Sequence, residues 1–220
     1  MFEGRILFLD GEAIVLDKPA GLPVTRARAG GPSLEDALEG LRFGFQRAPA
    51  AVHRLDRDTS GCLLLARNPK AHRRFAAAFE AGAVAKTYLA VLEGVPAVPG
   101  GTIDLALGKI SSREAGWRIV PDARGKAAVT DWEVIGIEAA RALVAFRPRT
   151  GRTHQIRVHA ASGLGHAIAG DPVYGRSQGP MLLHAWKLAL PRAGKPPVEA
   201  TAPLPPAFGG FVALAPADAG

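Results

Sequence analysis

The alternation of apolar and polar positions changes most sharply at residues 51–66. Cys62, Leu63, Leu64, Leu65 and Ala66 form an apolar run that reads as a buried strand. Directly before it stands His53-Arg54-Leu55-Asp56-Arg57-Asp58-Thr59-Ser60-Gly61, in which two arginines alternate with two aspartates. No apolar core selects such charge, so this junction is the first candidate site.

Elsewhere the pattern sets out further elements. Residues 5–9 and 13–17 predict two strands joined by Asp10-Gly11, a strong hairpin signal, and Pro19-Ala20-Gly21-Leu22-Pro23 ends the second. Ser33 ahead of Leu34-Glu35-Asp36 predicts a short capped helix, cut off by Gly40 and Gly44. Asn68-Pro69 opens a helix predicted over 69–81, with Ala71, Phe75, Ala78 and Phe79 on one face and Lys70, Arg73 and Arg74 mainly on others. Residues 86–92 alternate as a strand carrying Tyr88. From 96 to 148 the pattern is β throughout, with strands over 102–105, 117–120, 129–135 and 142–147, which suggests an antiparallel meander. Thr153 then caps a helix running from His154 to Gly163, which places His154 and Arg157 on one face. Strands follow over 181–183, 186–190 and 198–202, and residues 213–220 read as a frayed tail.

Composition narrows the possibilities. A chain of 220 residues with 48% hydrophobic content buries a sizeable core, and a single domain over 1–220 is expected. The 26 glycines and 18 prolines imply many turns and therefore many strands. A formal charge of +7 points to a polyanionic partner. The single cysteine, Cys62, excludes a disulfide framework and a thiolate metal cluster and fits a reducing cytoplasm. No stretch approaches the roughly 20 apolar residues of a membrane helix, so no membrane partner is expected.

The chemistry narrows in turn. Asp56 between Arg54 and Arg57, at the mouth of a sheet, has the setting of an ionised nucleophile or general base; the bland reading is a surface loop of self-pairing charges. The six histidines contain no His-Glu-x-x-His, and His154 and His159 are five apart, on different helix faces, so no metal is expected. Gly163, Gly165 and Gly170 miss the dinucleotide spacing and follow a helix rather than a strand; Ser60 lacks the glycine two residues before it that a nucleophile elbow needs; there is no P-loop. What remains is carboxylate chemistry on a polycation, for which a nucleoside within RNA is the fitting substrate. An aromatic such as Tyr88 would stack on the base, and an arginine would fill the space a flipped base leaves.

The run from His53 to Gly61 resembles the signature of the RluA-type pseudouridine synthases, and the resemblance extends further. Asp17-Lys18-Pro19-Ala20-Gly21-Leu22-Pro23-Val24 is similar to that family's Lys-Pro-x-Gly segment, and Lys86-Thr87-Tyr88-Leu89-Ala90 to its Lys-x-Tyr-x-Ala strand. The runs Thr150 to His159, Gly170 to Gly175 and Leu182 to Ala185 resemble its later motifs, all in the family's order. The resemblance implies an α+β fold: a mixed, largely antiparallel sheet with flanking helices and a central catalytic cleft. It implies that Asp56 is the catalytic aspartate, that Tyr88 stacks on the target base and relays the proton leaving C5, and that Arg157 pairs with Asp56. Arg54 is expected to help displace the base, Ile168 and Leu183 to form apolar walls, and His53, Arg57, Thr59, His154 and Gln155 to complete the substrate-binding set. The implied reaction turns uridine into pseudouridine in ribosomal or transfer RNA stem-loops, without cofactor or metal, in the cytoplasm and as a monomer. DNA is not expected as a partner.

Three departures stand out. The chain begins almost at the hairpin, so no N-terminal S4-type RNA-binding domain is expected; one extra residue lies between His159 and His166; and Ala167 stands where the family typically has proline. The last two bear on the setting of Ile168. Two other readings compete: a nucleosidase or glycosidase using Asp56 and Asp58 as paired carboxylates, with Asp58 equally an ion-pair partner of Arg57, and a non-catalytic RNA-binding module.

Overall fold

The computed structural model describes residues 2–26, 30–112, 116–176 and 178–216. The strands are β1 (Ile6–Leu9), β2 (Ala13–Lys18), β3 (Ala50–Ala51), β4 (Ser60–Ala66), β5 (Ala85–Leu92), β6 (Gly100–Asp104) and β7 (Leu107–Ser112). They continue as β8 (Gly116–Pro121), β9 (Val129–Glu138), β10 (Arg141–Pro148), β11 (Leu183–Leu190) and β12 (Val198–Thr201). Among the described residues two α-helices are present, α1 (Pro69–Glu80) and the single turn α2 (Gln155–Val158). The pairing is mixed and mostly antiparallel, which makes the fold α+β, as the resemblance implies.

The chain forms two compact units, Met1–Lys86 with His184–Pro203, and Thr87–Leu183 with Leu204–Gly220. In the first, β1 and β2 form the expected hairpin, closed by Asp10 Oδ1, which accepts the backbone N–H groups of Glu12 and Ala13. Next to it, β2 pairs with β4 antiparallel, β11 joins β4 in parallel at Ser60 and Gly61, and β12 flanks β11. The side chain of Asn68 caps the Ala71 N–H, and α1 turns Ala71 and Phe75 onto Val15, Leu64, Leu188 and Val198 of this sheet. Ser33 and Asp36 hold the start of a 3-10 helix, Leu34–Leu41, where the capped helix is predicted.

In the second unit the strand order is β5, β10, β9, β6. The meander expected over 96–148 is therefore interrupted, because β7 and β8 leave it to form a separate two-stranded ribbon. Among its described residues, only Leu107 and Ile119 of that ribbon are buried, too narrow an apolar face to enter the main sheet. The helix expected from His154 to Gly163 also differs: α2 is one turn, continued by a π turn at His159–Gly163. Thr153 is not its cap. His154 occupies that place with left-handed backbone, φ 55°. The cause is Gln155, whose Oε1 accepts from Arg152 N–H and Thr150 Oγ1 while its Nε2 donates to Val129 O and Thr130 Oγ1, drawing the turn onto β9. The two strands expected at 181–190 are one, β11. Of the predicted tail, Ala213–Ala215 bond back to residues 210 and 211, and 217–220 lie outside the described residues.

Candidate active site

The acidic loop sits between β3 and β4 in the first unit, and the fold pins it at several points. Thr59, itself buried, donates its backbone N–H to Asp56 O at 3.2 Å, which closes a turn around Arg57 and Asp58. Leu55 is buried beneath the loop. The strongest tie comes from β2: Lys18, 0% exposed, donates from Nζ to Pro19 O (2.8 Å), Leu22 O (2.8 Å) and Arg57 O (3.0 Å). All three ammonium protons are therefore spent on joining the Pro19–Leu22 turn to the acid loop. Burial pulls the Lys18 pKa down to about 8, against the pull of the Asp58, Asp56 and Asp17 carboxylates, which favour its charge.

The residues flanking the loop are mostly scaffold. Nε2 of His53 accepts the Leu64 N–H at 2.9 Å, and its ring stacks on Phe79 with centroids 4.5 Å apart. Burial, with the nearby charge of Lys86, holds its pKa down to about 3, so the ring is neutral. Ser60 and His184 join β4 to β11. His184 Nε2 can only donate to the carbonyl of Ala202 (3.2 Å), so its Nδ1 accepts the Ser60 hydroxyl proton at 2.8 Å. Burial holds His184 down to about 4. Gly61 follows with φ 102°, and a Cβ there would overlap the Ala185 carbonyl oxygen. Arg57 pairs with Asp58, Nε to Oδ1 at 3.1 Å, both partly in solvent, which is the ion-pair alternative to a second catalytic carboxylate. Arg54 is exposed on the same loop.

The second unit carries the other predicted residues. Tyr88 lies on β5 opposite Phe146 of β10 and rests against the cluster containing Leu92, Ile156, Ile168 and Leu183. Ile168 and Leu183 are both buried, and Ile168 bridges to Leu92. Arg157 is buried on α2 and grips Asp171 bidentately, Nε to Oδ2 and Nη2 to Oδ1, both 2.8 Å. Asp171 Oδ1 also accepts the N–H groups of Val173 and Tyr174. Burial opposes the Asp171 charge, but the guanidinium and the two amides outweigh it and keep the carboxyl below its ordinary range. Next to this pair, the Tyr174 hydroxyl accepts from Ile119 N–H (3.1 Å) and bonds His154 Nδ1 (2.9 Å). His154 in turn stacks on Trp117, and the Arg157 guanidinium lies 5.2 Å from the Tyr174 ring.

Thus His53, Arg54, Asp56, Arg57 and Thr59 share one loop, while Tyr88, His154, Gln155, Arg157, Ile168 and Leu183 gather around α2 and β5. Gln155 spends its whole amide on the scaffold. Sequence reasoning missed Lys18 as the anchor of the loop and Asp171 as a partner of Arg157, although both stand inside motifs it had marked. Among the described residues, no three His, Cys, Asp or Glu side chains are grouped to hold a metal.

Comparison with known proteins gives this geometry its class. A family model described as RNA pseudouridylate synthase matches residues 12–162. An RNA pseudouridine synthase of Zymomonas mobilis, described as uncharacterized, is 60% identical over 93% of this chain and 95% of its own length. The ribosomal large subunit pseudouridine synthase D of the same organism is 39% identical over 79% of this chain and 56% of its own, so the chain spans about half of that relative. Among solved structures, human RNA pseudouridylate synthase domain containing 4 superposes with a TM-score of 0.80 and 26% identity, over 94% of this chain and 91% of that one. Human RNA pseudouridylate synthase domain containing 1 gives 0.74 and 30%, over 93% and 85%. Sheet and acidic loop together define a pseudouridine synthase. This chain belongs to the RNA pseudouridylate synthase family, and its activity is the isomerisation of uridine in RNA to pseudouridine.

Proposed function

We propose that Asp56 is the group through which this chain isomerises uridine, and that the target lies in a stem-loop of ribosomal or transfer RNA. The observation that carries the reading is the buried Lys18 ammonium bonded to Arg57 O, which fixes the loop of Asp56 and sets positive charge beside it. A carboxylate held in this way is preoriented, as a group must be that assists breakage of the C1'–N1 bond. The freed uracil turns, C5 bonds to C1', the C5 proton leaves and N1 takes one up, so the step conserves atoms and is redox-neutral. Tyr88 stacks on the base and relays the C5 proton, with Ile168 and Leu183 as its apolar surround. Arg157, oriented by Asp171, is the guanidinium read as the partner of the catalytic aspartate. Arg54, exposed on the loop, enters the space the base vacates, and His154 contacts RNA beside Trp117.

Relatives named for the ribosomal large subunit support ribosomal RNA as the first target to examine. Among the described residues no helix is long and apolar enough to cross a membrane. A cytoplasmic monomer is part of the same proposal. The test maps pseudouridine in ribosomal and transfer RNA from cells with and without this protein. Loss at one or a few positions is expected; unchanged maps in both fractions would contradict the assignment of targets.

A further inference from the structure

Among the described residues, ten of the chain's 20 arginines pair with a carboxylate, six of them as follows. Arg5 pairs with Asp17, Arg74 with Glu12, Arg141 with Glu93, Arg147 with Glu133, Arg149 with Asp131 and Arg192 with Asp10. The β7–β8 ribbon gathers cations of the other kind. Lys109, Arg124, Lys126 and Arg152 are exposed around a pocket of about 570 Å³ and have, among the described residues, no carboxylate partner. The pocket's one acid, Asp122, is tied to its own turn, where Oδ1 accepts the Arg124 N–H at 2.9 Å. On the same ribbon face, beside Lys109, stands Trp117, whose indole is 50% exposed.

The indole is not loosely hung. His154 stacks on it with centroids 5.3 Å apart, Tyr174 holds the ribbon at Ile119 N–H, and Leu107 and Ile119 pack with Val158. A half-exposed aromatic with the Lys109 ammonium 5.3 Å over its ring, on a ribbon whose adjoining pocket carries three further cations, combines the two elements that bind single-stranded nucleic acid: a face for a base and charge for its backbone. We infer that the β7–β8 ribbon and the pocket beneath it bind an unpaired RNA strand, with one base stacked on Trp117 and neighbouring phosphates held by Lys109, Arg124, Lys126 and Arg152. The inference rests on the reading of this chain as an RNA enzyme and names a second place where it grips its substrate.

The test uses the full chain with two fluorescent probes, a 15-nucleotide oligouridylate and a blunt RNA duplex, titrated across a series of salt concentrations. Trp117→Ala should weaken oligouridylate binding roughly ten-fold or more, Trp117→Phe should restore most of it, and the duplex should be little affected. Combining Lys109→Ala, Arg124→Ala and Lys126→Ala should lower the salt slope for the single strand by about 2, at about 0.7 per phosphate contact. Arg141→Ala, which removes a cation already paired with Glu93, should leave the slope unchanged. Equal binding by all variants, or equal losses on strand and duplex, would overturn the inference. Pseudouridine formation, measured in parallel, separates it from the functional reading. Product formed by a wild type whose oligouridylate affinity ignores these variants sinks the ribbon alone, whereas weakened binding by the variants without product from the wild type sinks the functional reading and keeps the ribbon.

Discussion

Lys18 links the chemistry of the acid loop to pH. Below about pH 8 its ammonium supplies three donors for three carbonyls and a positive charge facing Asp56 and Asp58. Above it, one donor and the charge disappear, so kcat/KM should fall as pH rises through about 8. Stability has the opposite sign. The unfolded lysine keeps its proton to about 10.5, so between the two values the unfolded chain binds more protons and Lys18 makes folding more favourable as pH rises. A fall in activity without a fall in stability therefore marks the lysine, and a pH-rate profile beside denaturant titrations at pH 7.5 and 9.5 checks it. Lys18→Met should cost about 10²-fold in kcat/KM and abolish the basic limb; a variant that keeps the limb would refute the assignment. The sequence marks Lys18 only as a member of the Lys-Pro-x-Gly segment, with no role attached. Its acceptor at Arg57 lies 39 residues on, a separation that no local pattern encodes.

Elements with a local cause were readable in advance. The β1–β2 hairpin follows from Asp10-Gly11, and α1 from its Asn68 cap and the Ala71, Phe75, Ala78, Phe79 face that packs on the first sheet. Elements decided by distant partners were not. The β7 segment reads as loop because its pairing is confined to a ribbon, and the one-turn length of α2 follows from Gln155 reaching back to β9. The same holds for the junction of β4 with β11, where Ser60 meets His184 from 124 residues away and Gly61 lies against Ala185. Gly61→Ala adds a Cβ at φ 102° against a backbone carbonyl, where neither side yields cheaply. It should destabilise the protein by roughly 3 kcal/mol or more and distort the acid loop that precedes it. Urea denaturation checks this, and a loss below about 1 kcal/mol would show that the two strands separate easily.

Across the whole molecule, histidines held neutral by desolvation set the acid limit: His159 and His184 are buried and His53 is half-buried. His53 and His184 are held neutral down to about 3 and 4, whereas in the unfolded chain they take up protons near 6.5. Their contribution is complete above about pH 7 and is lost as pH falls from 6.5 towards 4, at up to about 1.4 kcal/mol per pH unit for each. Stability that stays flat from pH 7 to pH 5 would contradict this. The acidic motif, the basic charge and the strand-rich fold were all legible in the sequence, because each is local or compositional; the pairing of Arg57 with Asp58 required coordinates. The most direct measurement is therefore turnover of Asp56→Asn beside Asp58→Asn on the same RNA, read as pseudouridine by mass spectrometry of nucleosides. Asp56→Asn should form none while binding RNA within about three-fold of wild type, and Asp58→Asn, which loses the pairing with Arg57 and one of the charges that favour the Lys18 ammonium, should stay within about ten-fold in rate. Pseudouridine made by Asp56→Asn, or free uracil released by the wild type, would contradict the account.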